Sequence, residues 1–431
     1  LTAGVIHIKG IVQSDTTSQS IISTGTSTLN ISSCNFTGNS TFSAPSILVK
    51  YSTFNGNSSF TKTGNANNQW EGGNVFYGST TISNNTTGSG ILRMALQAGD
   101  VYAGDVTFNT STGYIQVAFA DTSTFGGDVN TNNSKVGFSS GSGLLQFNGA
   151  EDQALTTAAI ISAQKFMLTK PGGLLTTNRQ ITIDSVLTLN GGILSTDSLI
   201  TLKAPAIVNG GSNVSHIDGP VKKIGNTAFI FPVGDQGQWN PVEISAPAQT
   251  TDAFTARFYL EGQPYGSAAD TTIRLLNTCS YWNLTRTTGS SNVYVSLYWD
   301  SIACGLYDTT GLIVAALNGT TWKNVEKEGI TGNVMAGKIK SFTLTNYYSS
   351  FTWGYEPDPG QPIIIPINPV LNTTTSDPSW NHPISEDYFG YNGSSVLDEG
   401  QYWSDLSSNA VLLHNGISSI RHNGGTNGNY W

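Results

Sequence analysis

Among the acidic residues of the first 215 positions, Asp100, Asp105, Asp121, Asp128, Glu151 and Asp152 are the ones whose spacing could do chemistry. Asp105 and Asp128 each stand three residues beyond an aromatic residue, Tyr102 and Phe125, in a repeated pattern. If that pattern marks successive turns of a solenoid, the two carboxylates face one wall, one rung apart. Two stacked carboxylates can bind Ca²⁺ or divide into an acid and a base, as polysaccharide-cleaving sites require. They can equally be solvated turn residues with no chemical role. No EF-hand loop, HExxH, GxSxG or phosphate-binding glycine loop accompanies them. His7, His216, His382, His414 and His422 are scattered without metal-ligand spacing. The expectation is therefore no catalytic residue, no metal site and no cofactor.

Cysteine is the other reactive type, at Cys34, Cys279 and Cys304. Cys279 and Cys304 are separated by 25 positions without a CxxC or an intervening histidine, which disfavours zinc and redox pairs. A disulfide tying two strands, with Trp282 and Trp299 in the core between them, is one reading; two unpaired buried thiols is the other. As a disulfide it would contribute roughly 3–4 kcal/mol by closing a loop of that length, and would point to an oxidising compartment. Cys34 reads as a small buried residue.

These residues need elements to position them. Only 11% of the 431 residues are charged, and the abundance of Gly, Ser, Thr and Asn disfavours helices and favours short strands with tight turns. An apolar residue followed two positions later by glycine recurs at Phe36, Phe54, Phe76, Tyr102, Phe125, Phe147, Leu189 and Val208. The long step from Phe147 to Leu189 reads as two turns with one anchor lost. A period near 20 residues is one coil of a parallel β-helix, with inward Phe, Tyr, Leu and Ile in ladders and glycine supplying positive φ at the corners.

The rhythm changes near His216. "AFIFPVGDQGQWNPVEI" and "DAFTARFYL" alternate as antiparallel strands do, and "NVYVSLYW" places Val293, Val295, Leu297 and Trp299 on one face. The expected fold is all-β: a right-handed parallel β-helix over 1–215 and an antiparallel β-sandwich over 216–353. A proline-rich extended linker over 354–375 and an acidic, aromatic β-rich segment over 376–431 would follow, the latter opening a further domain. Acidic and basic residues number 10 and 9 in 1–215, 10 and 9 in 216–353, and 8 and 1 in 354–431. No basic stripe suited to nucleic acid is present, and no apolar run is long enough for a spanning helix.

The run "HIDGPVKKIGNTAFIFPVGDQGQWNPVEISAPAQTTDAFTARFYL", with "CSYWNLTRTTGSSNVYVSLYWDSIACGL" and "FTLTNYYSSFTWG", resembles a module of very large cell-surface proteins of the Bacteroidota. Such proteins are commonly exported by the type IX secretion system and include gliding-associated adhesins. The coils from about Asn74 through "LTKPGGLLTTNRQITIDSVLTLNGGILSTDSLITL" resemble the stretch that precedes that module. The resemblance implies the Cys279–Cys304 pairing, a bacterial cell-surface or extracellular location, and secretion or anchoring machinery as partner. It assigns no catalytic residue. It also makes Ser185, Ser198 and Ser301, each following an aspartate, possible O-glycosylation sites. "NHPISEDYFGYNGSSVLDEGQYWSDLSSNAVLLHN" is similar to the segment that opens Rhs/YD-repeat proteins, with Trp403 interrupting the pattern.

The resulting expectation is a non-catalytic structural or adhesive segment of a larger exported polypeptide, a stalk or a binder of surfaces and glycans. One alternative is the N-terminal part of a secreted Rhs/YD-repeat protein exported by the type IX system. The other is a β-helix polysaccharide lyase or hydrolase.

Overall fold

The aromatic anchors of the repeat lie directly above one another. Phe36 pairs with Phe54, Phe54 with Phe76, Phe76 with Tyr102, Tyr102 with Phe125 and Phe125 with Phe147, every strand pair running parallel. In this computed structural model, residues 4–357 are described except 26, 139–140, 264–267, 301–302, 307 and 343–348, together with 421–422 and 429–430. Among the described residues the chain is all-β, without helix, and forms a parallel β-solenoid of about 10 turns. Residues 1–359 and 360–431 are two compact units. The described part of the second is a short antiparallel pair, Arg421–His422 with Asn429–Tyr430.

The ladder rings stack nearly flat, with centroids 5.3 Å apart for Phe36–Phe54, 5.2 Å for Phe54–Phe76 and 4.9 Å for Phe76–Tyr102. A second column, Phe42 over Phe60, meets the first edge-on, Phe54 and Phe60 lying 5.1 Å apart at 87°. Each fully buried ring contributes on the order of 2–3 kcal/mol by leaving water. Parallel stacking of identical positions then adds aromatic contact to burial.

Of the glycines beside the expected anchors, Gly210 has the expected positive φ of 84°, but those of the aromatic ladder serve a different purpose. Gly56, Gly78, Gly104 and Gly127 are not in the left-handed region. Their requirement is steric. A Cβ on Gly56 would lie 2.5 Å from the carbonyl carbon of Gly38, one on Gly78 2.5 Å from that of Gly56, and one on Gly104 2.8 Å from that of Gly78. Backbone approaches backbone there without room for a side chain.

The lost anchor of the long step is Leu168, which stands between Phe147 and Leu189. Two residues on, where glycine is the rule, the chain has Lys170. Its side chain is buried, and Nζ donates to Gly149 O (2.8 Å), Glu151 O (2.7 Å) and Gln153 Oε1 (2.9 Å). All three ammonium protons are thereby used. The anchor expected at Val208 is displaced: Val208 faces Leu187, and Gly210 faces Leu189.

At Val221–Ile224 the pairing changes sense. Val221 stacks in parallel on Ile200 and pairs antiparallel with Ala256 on its other side. Antiparallel pairing continues from Ala253–Tyr259 to Tyr281–Thr288, Ser350–Tyr355 and Leu312–Asn318. A second antiparallel sheet holds Phe229–Phe231, Val242–Ile244, Val295–Trp299, Ala336–Lys340 and Gly329–Asn333. Val293, Val295, Leu297 and Trp299 are all buried, as their alternation predicts. Trp353 meets Trp282 at 5.2 Å in its own sheet and Trp299 of the other sheet at 6.2 Å. Most buried apolar side chains form one contiguous cluster from Ile8 to Tyr355, and a smaller separate one gathers Ile273, Leu276, Ile313, Ala315, Leu317 and Trp322.

The steric role of the glycine column predicts an asymmetry. Gly78→Ala should lower the unfolding free energy by about 3 kcal/mol through overpacking against the preceding turn. Gly237→Ala, strained at φ 77° but with open space around its Cβ position, should cost about 1 kcal/mol. Urea unfolding followed by circular dichroism measures both; equal costs would contradict the steric account.

Candidate functional site

Asp105 and Asp128 do sit one rung apart on one wall, and each follows a glycine of the column. One oxygen of each is engaged by backbone. The amide of Asp128 donates to Asp105 Oδ1 at 2.9 Å, and the amide of Ala154 donates to Asp128 Oδ1 at 2.8 Å. Asparagine does the same two and three turns before Asp105. Asn39 Oδ1 accepts from the amide of Asn57 at 2.9 Å, and Asn57 Oδ1 from that of Ser79 at 3.0 Å. Asp152 Oδ1 accepts from the amide of Leu174 at 2.8 Å, while Asp121 Oδ1 takes the neighbouring amide of Thr122. The wall is thus a column of side-chain acceptors that bridge one turn to the next, and the amide oxygen of asparagine fills the role as well as a carboxylate.

A second polar column runs inside the solenoid: Cys34, Ser52, Asn74, Asp100 and Ser123, each two residues before a ladder ring and so on the same strand face. The amide of Cys34 donates to Ser52 Oγ (3.2 Å), that of Ser52 to Asn74 Oδ1 (3.2 Å), and that of Asn74 to Asp100 Oδ1 (3.1 Å). Asn74 Nδ2 also donates to Asp100 Oδ1 at 2.9 Å. Asp100 is completely buried, and its Oδ2 has no partner among the described residues. Burial raises its pKa to about 7 against the lowering effect of the Asn74 hydrogen bonds, and nearby Asp121 adds to the rise. Cys34 is buried as expected, its Sγ 3.2 Å from Ser32 O.

The outward wall carried by Thr28–Ser32, Ser46–Lys50 and Asn68–Gln69 holds a small open groove lined by Asn30, Leu48, Val49, Lys50, Gln69 and Glu71. Lys50 Nζ and Glu71 Oε1 form a half-exposed ion pair at 2.7 Å. One turn further on, Arg93 Nε donates to Gln116 Oε1 at 2.9 Å. In the antiparallel part, Tyr298 OH and Lys338 Nζ both donate to Glu243 Oε2, at 2.7 and 2.9 Å. The Lys338 and Tyr298 hydrogen bonds hold the Glu243 carboxyl below its usual range in spite of burial, which acts to raise it, and the same carboxylate holds the Lys338 ammonium above its usual range. Nothing in the sequence reading singled out either cluster, because their members are far apart in the chain and meet only through strand register.

Cys279 and Cys304 are joined in a disulfide, with Cα atoms 6.0 Å apart. Trp282 and Trp299 are both buried, as that reading expected. Ser185 is half-buried in the Ile181–Ser195 strand where its register to Ile161–Thr177 shifts. Ser198 is half-buried in a turn, its amide donating to Thr196 Oγ1 at 2.9 Å; Ser301 lies outside the described residues. His216 is fully buried, its Nδ1 3.1 Å from Ser212 O, and burial lowers its pKa. His7 is exposed, and His382 and His414 lie outside the described residues. No group of three or more potential metal ligands occurs among the described residues. No helix there is long and apolar enough to cross a membrane.

No family model, curated protein or solved structure matches this chain.

Two outcomes follow from the columns. Asp128→Asn should leave stability within about 0.5 kcal/mol, whereas Asp128→Ala should cost about 1 kcal/mol through the lost acceptor. For Asp100 the folded pKa of about 7 exceeds the ordinary carboxyl value of 3.8. Its neutral form therefore favours folding fully below pH 3.8, and that contribution is lost as pH rises through 7. Unfolding free energy measured in urea should fall across this window by up to about 4 kcal/mol, and Asp100→Asn should flatten the slope.

Proposed function

We propose that this chain is a non-catalytic, extracellular structural and adhesive segment whose solenoid walls contact glycans or other surfaces. The observation that carries this reading is that Asp105 and Asp128, the best candidates for an acid–base pair, each hold an amide of the following turn through Oδ1, a structural bridge between turns. About 10 stacked turns at roughly 4.8 Å each give a rod near 50 Å long. Such a rod is suited to spacing a binding surface away from its anchor.

In this proposal the solenoid is right-handed and occupies 1–215, and the two antiparallel sheets of 216–353 form a sandwich. The meeting of Trp299 with Trp353 across those sheets supports it. The linker expected over 354–375 lies beyond residue 357 outside the described residues, as does the acidic segment expected over 376–431 apart from 421–422 and 429–430. The resemblance to Bacteroidota surface proteins supports type IX export, cell-surface localisation and O-glycans at Ser185, Ser198 and Ser301. The Cys279–Cys304 disulfide is compatible with an oxidising location.

The test is to present the purified chain to immobilised glycans and, in parallel, to incubate it with acidic polysaccharides. Binding without shortening of the polysaccharide is expected. Depolymerisation that disappears in Asp105→Ala or Asp128→Ala would establish the lyase or hydrolase reading instead. Reduction of the disulfide should destabilise the antiparallel part by about 3 kcal/mol, read as a lower midpoint in urea.

A further inference from the structure

One corner of the solenoid is turned in the left-handed region in each of its first four turns, by Gly10, Ser33, Tyr51 and Gly73, with φ of 66°, 53°, 48° and 75°, the last preceded by Gly72 at 93°. Strand register stacks them, since Lys9 faces Ser32, Ser32 faces Lys50, and Lys50 faces Gly72. Three of the four are glycine or serine. Tyr51 is the exception. A bulky residue in this region is strained by about 1–3 kcal/mol, and here the strained side chain is 49% exposed, so burial does not explain it.

The neighbouring turn makes room for the ring. A Cβ on Gly73 would lie 2.5 Å from Tyr51 Cδ1, so the ring lies directly over the backbone of that glycine. Immediately before Tyr51 comes Lys50, and immediately before the Gly72–Gly73 pair comes Glu71; these two form the half-exposed ion pair at the groove. The groove continues through Asn30, Leu48 and Gln69. An aromatic face thus stands at the corner of a wall furnished with an amine, a carboxylate and two amides.

We propose that Tyr51, the Lys50–Glu71 pair and the adjoining groove form a subsite for a neutral saccharide. A pyranose has one C–H face that packs on an aromatic ring and a rim of hydroxyls that both donate and accept. Tyr51 supplies the ring; Lys50 supplies donors, Glu71 acceptors, Asn30 a donor through Nδ2, its Oδ1 being buried, and Gln69 both. The ion pair carries no net charge, which favours a neutral sugar over a uronic acid. This inference rests on the glycan-binding reading above and assigns it a place.

The experiment compares the whole chain with Tyr51→Asn and Glu71→Gln on a glycan array, followed by titration with cellohexaose and chitohexaose. Asparagine tolerates the left-handed region, so Tyr51→Asn should keep or raise the thermal midpoint. At least tenfold weaker binding of the bound hexaose by Tyr51→Asn, and a severalfold loss for Glu71→Gln, are expected. If the wild-type chain binds glycans and Tyr51→Asn binds them equally, the subsite is overturned and the general reading stands. Tyr51-dependent binding confined to acidic glycans would overturn the neutral class. No binding by the wild type to the array or to either hexaose would overturn both.

Discussion

Backbone-to-backbone contact between successive turns is the constraint on which the solenoid depends. At Gly38, Gly56, Gly78 and Gly104 the chain passes so close to the turn before it that no Cβ fits. That approach sets the turns in register, and register places every other column. The aromatic ladder lies two residues before the glycines, the bridging Asn and Asp acceptors one residue after them, and the interior polar column two residues before the rings. Lys170 shows what the constraint demands when it is not met by glycine. The side chain turns inward and its ammonium satisfies two carbonyls and an amide oxygen of the turn below.

The parallel repeat was legible because Phe, Tyr and Gly recur at a spacing that only a coil of that length explains. Alternation in "NVYVSLYW" likewise revealed a buried face, and the cysteine spacing left a disulfide as one of two readings. The purpose of the glycines was not legible, since the sequence cannot distinguish a residue chosen for positive φ from one chosen for absence of a side chain. Leu168 was hidden because its partner two positions on is Lys170. Asp100 was visible among the acidic residues but not as the buried one. Its position two before Tyr102, on the inward face, was the available signal. The changeover was announced by the change of rhythm near His216, but that the single strand Val221–Ile224 would be parallel on one edge and antiparallel on the other was not legible, because local periodicity does not say what lies on each edge.

Inter-turn bonding also orders the chemistry. Many polar groups facing inward and along the Asp105 wall are drawn into bonds between turns, whereas other polar and aromatic side chains face outward. The Lys50–Glu71 pair, the Tyr51 ring and the Glu243–Tyr298–Lys338 cluster are of this second kind. They are far apart in sequence and are assembled by register alone. A scaffold built from repeated small residues can therefore acquire a binding surface by changing a few outward positions.

Amide hydrogen exchange tests the central claim most directly. If the turns are locked at backbone contact and bridged by side-chain acceptors, the amides of Asn57, Ser79, Asp128 and Ala154 should be protected together with those of the aromatic ladder. Protection should decline only toward the first turn, Val5–Lys9 and Gln19–Ile22, whose strands pair on one edge. Rapid exchange at Asn57, Ser79, Asp128 and Ala154 alongside a protected ladder would contradict the account, because the glycine column would then not hold successive turns in contact.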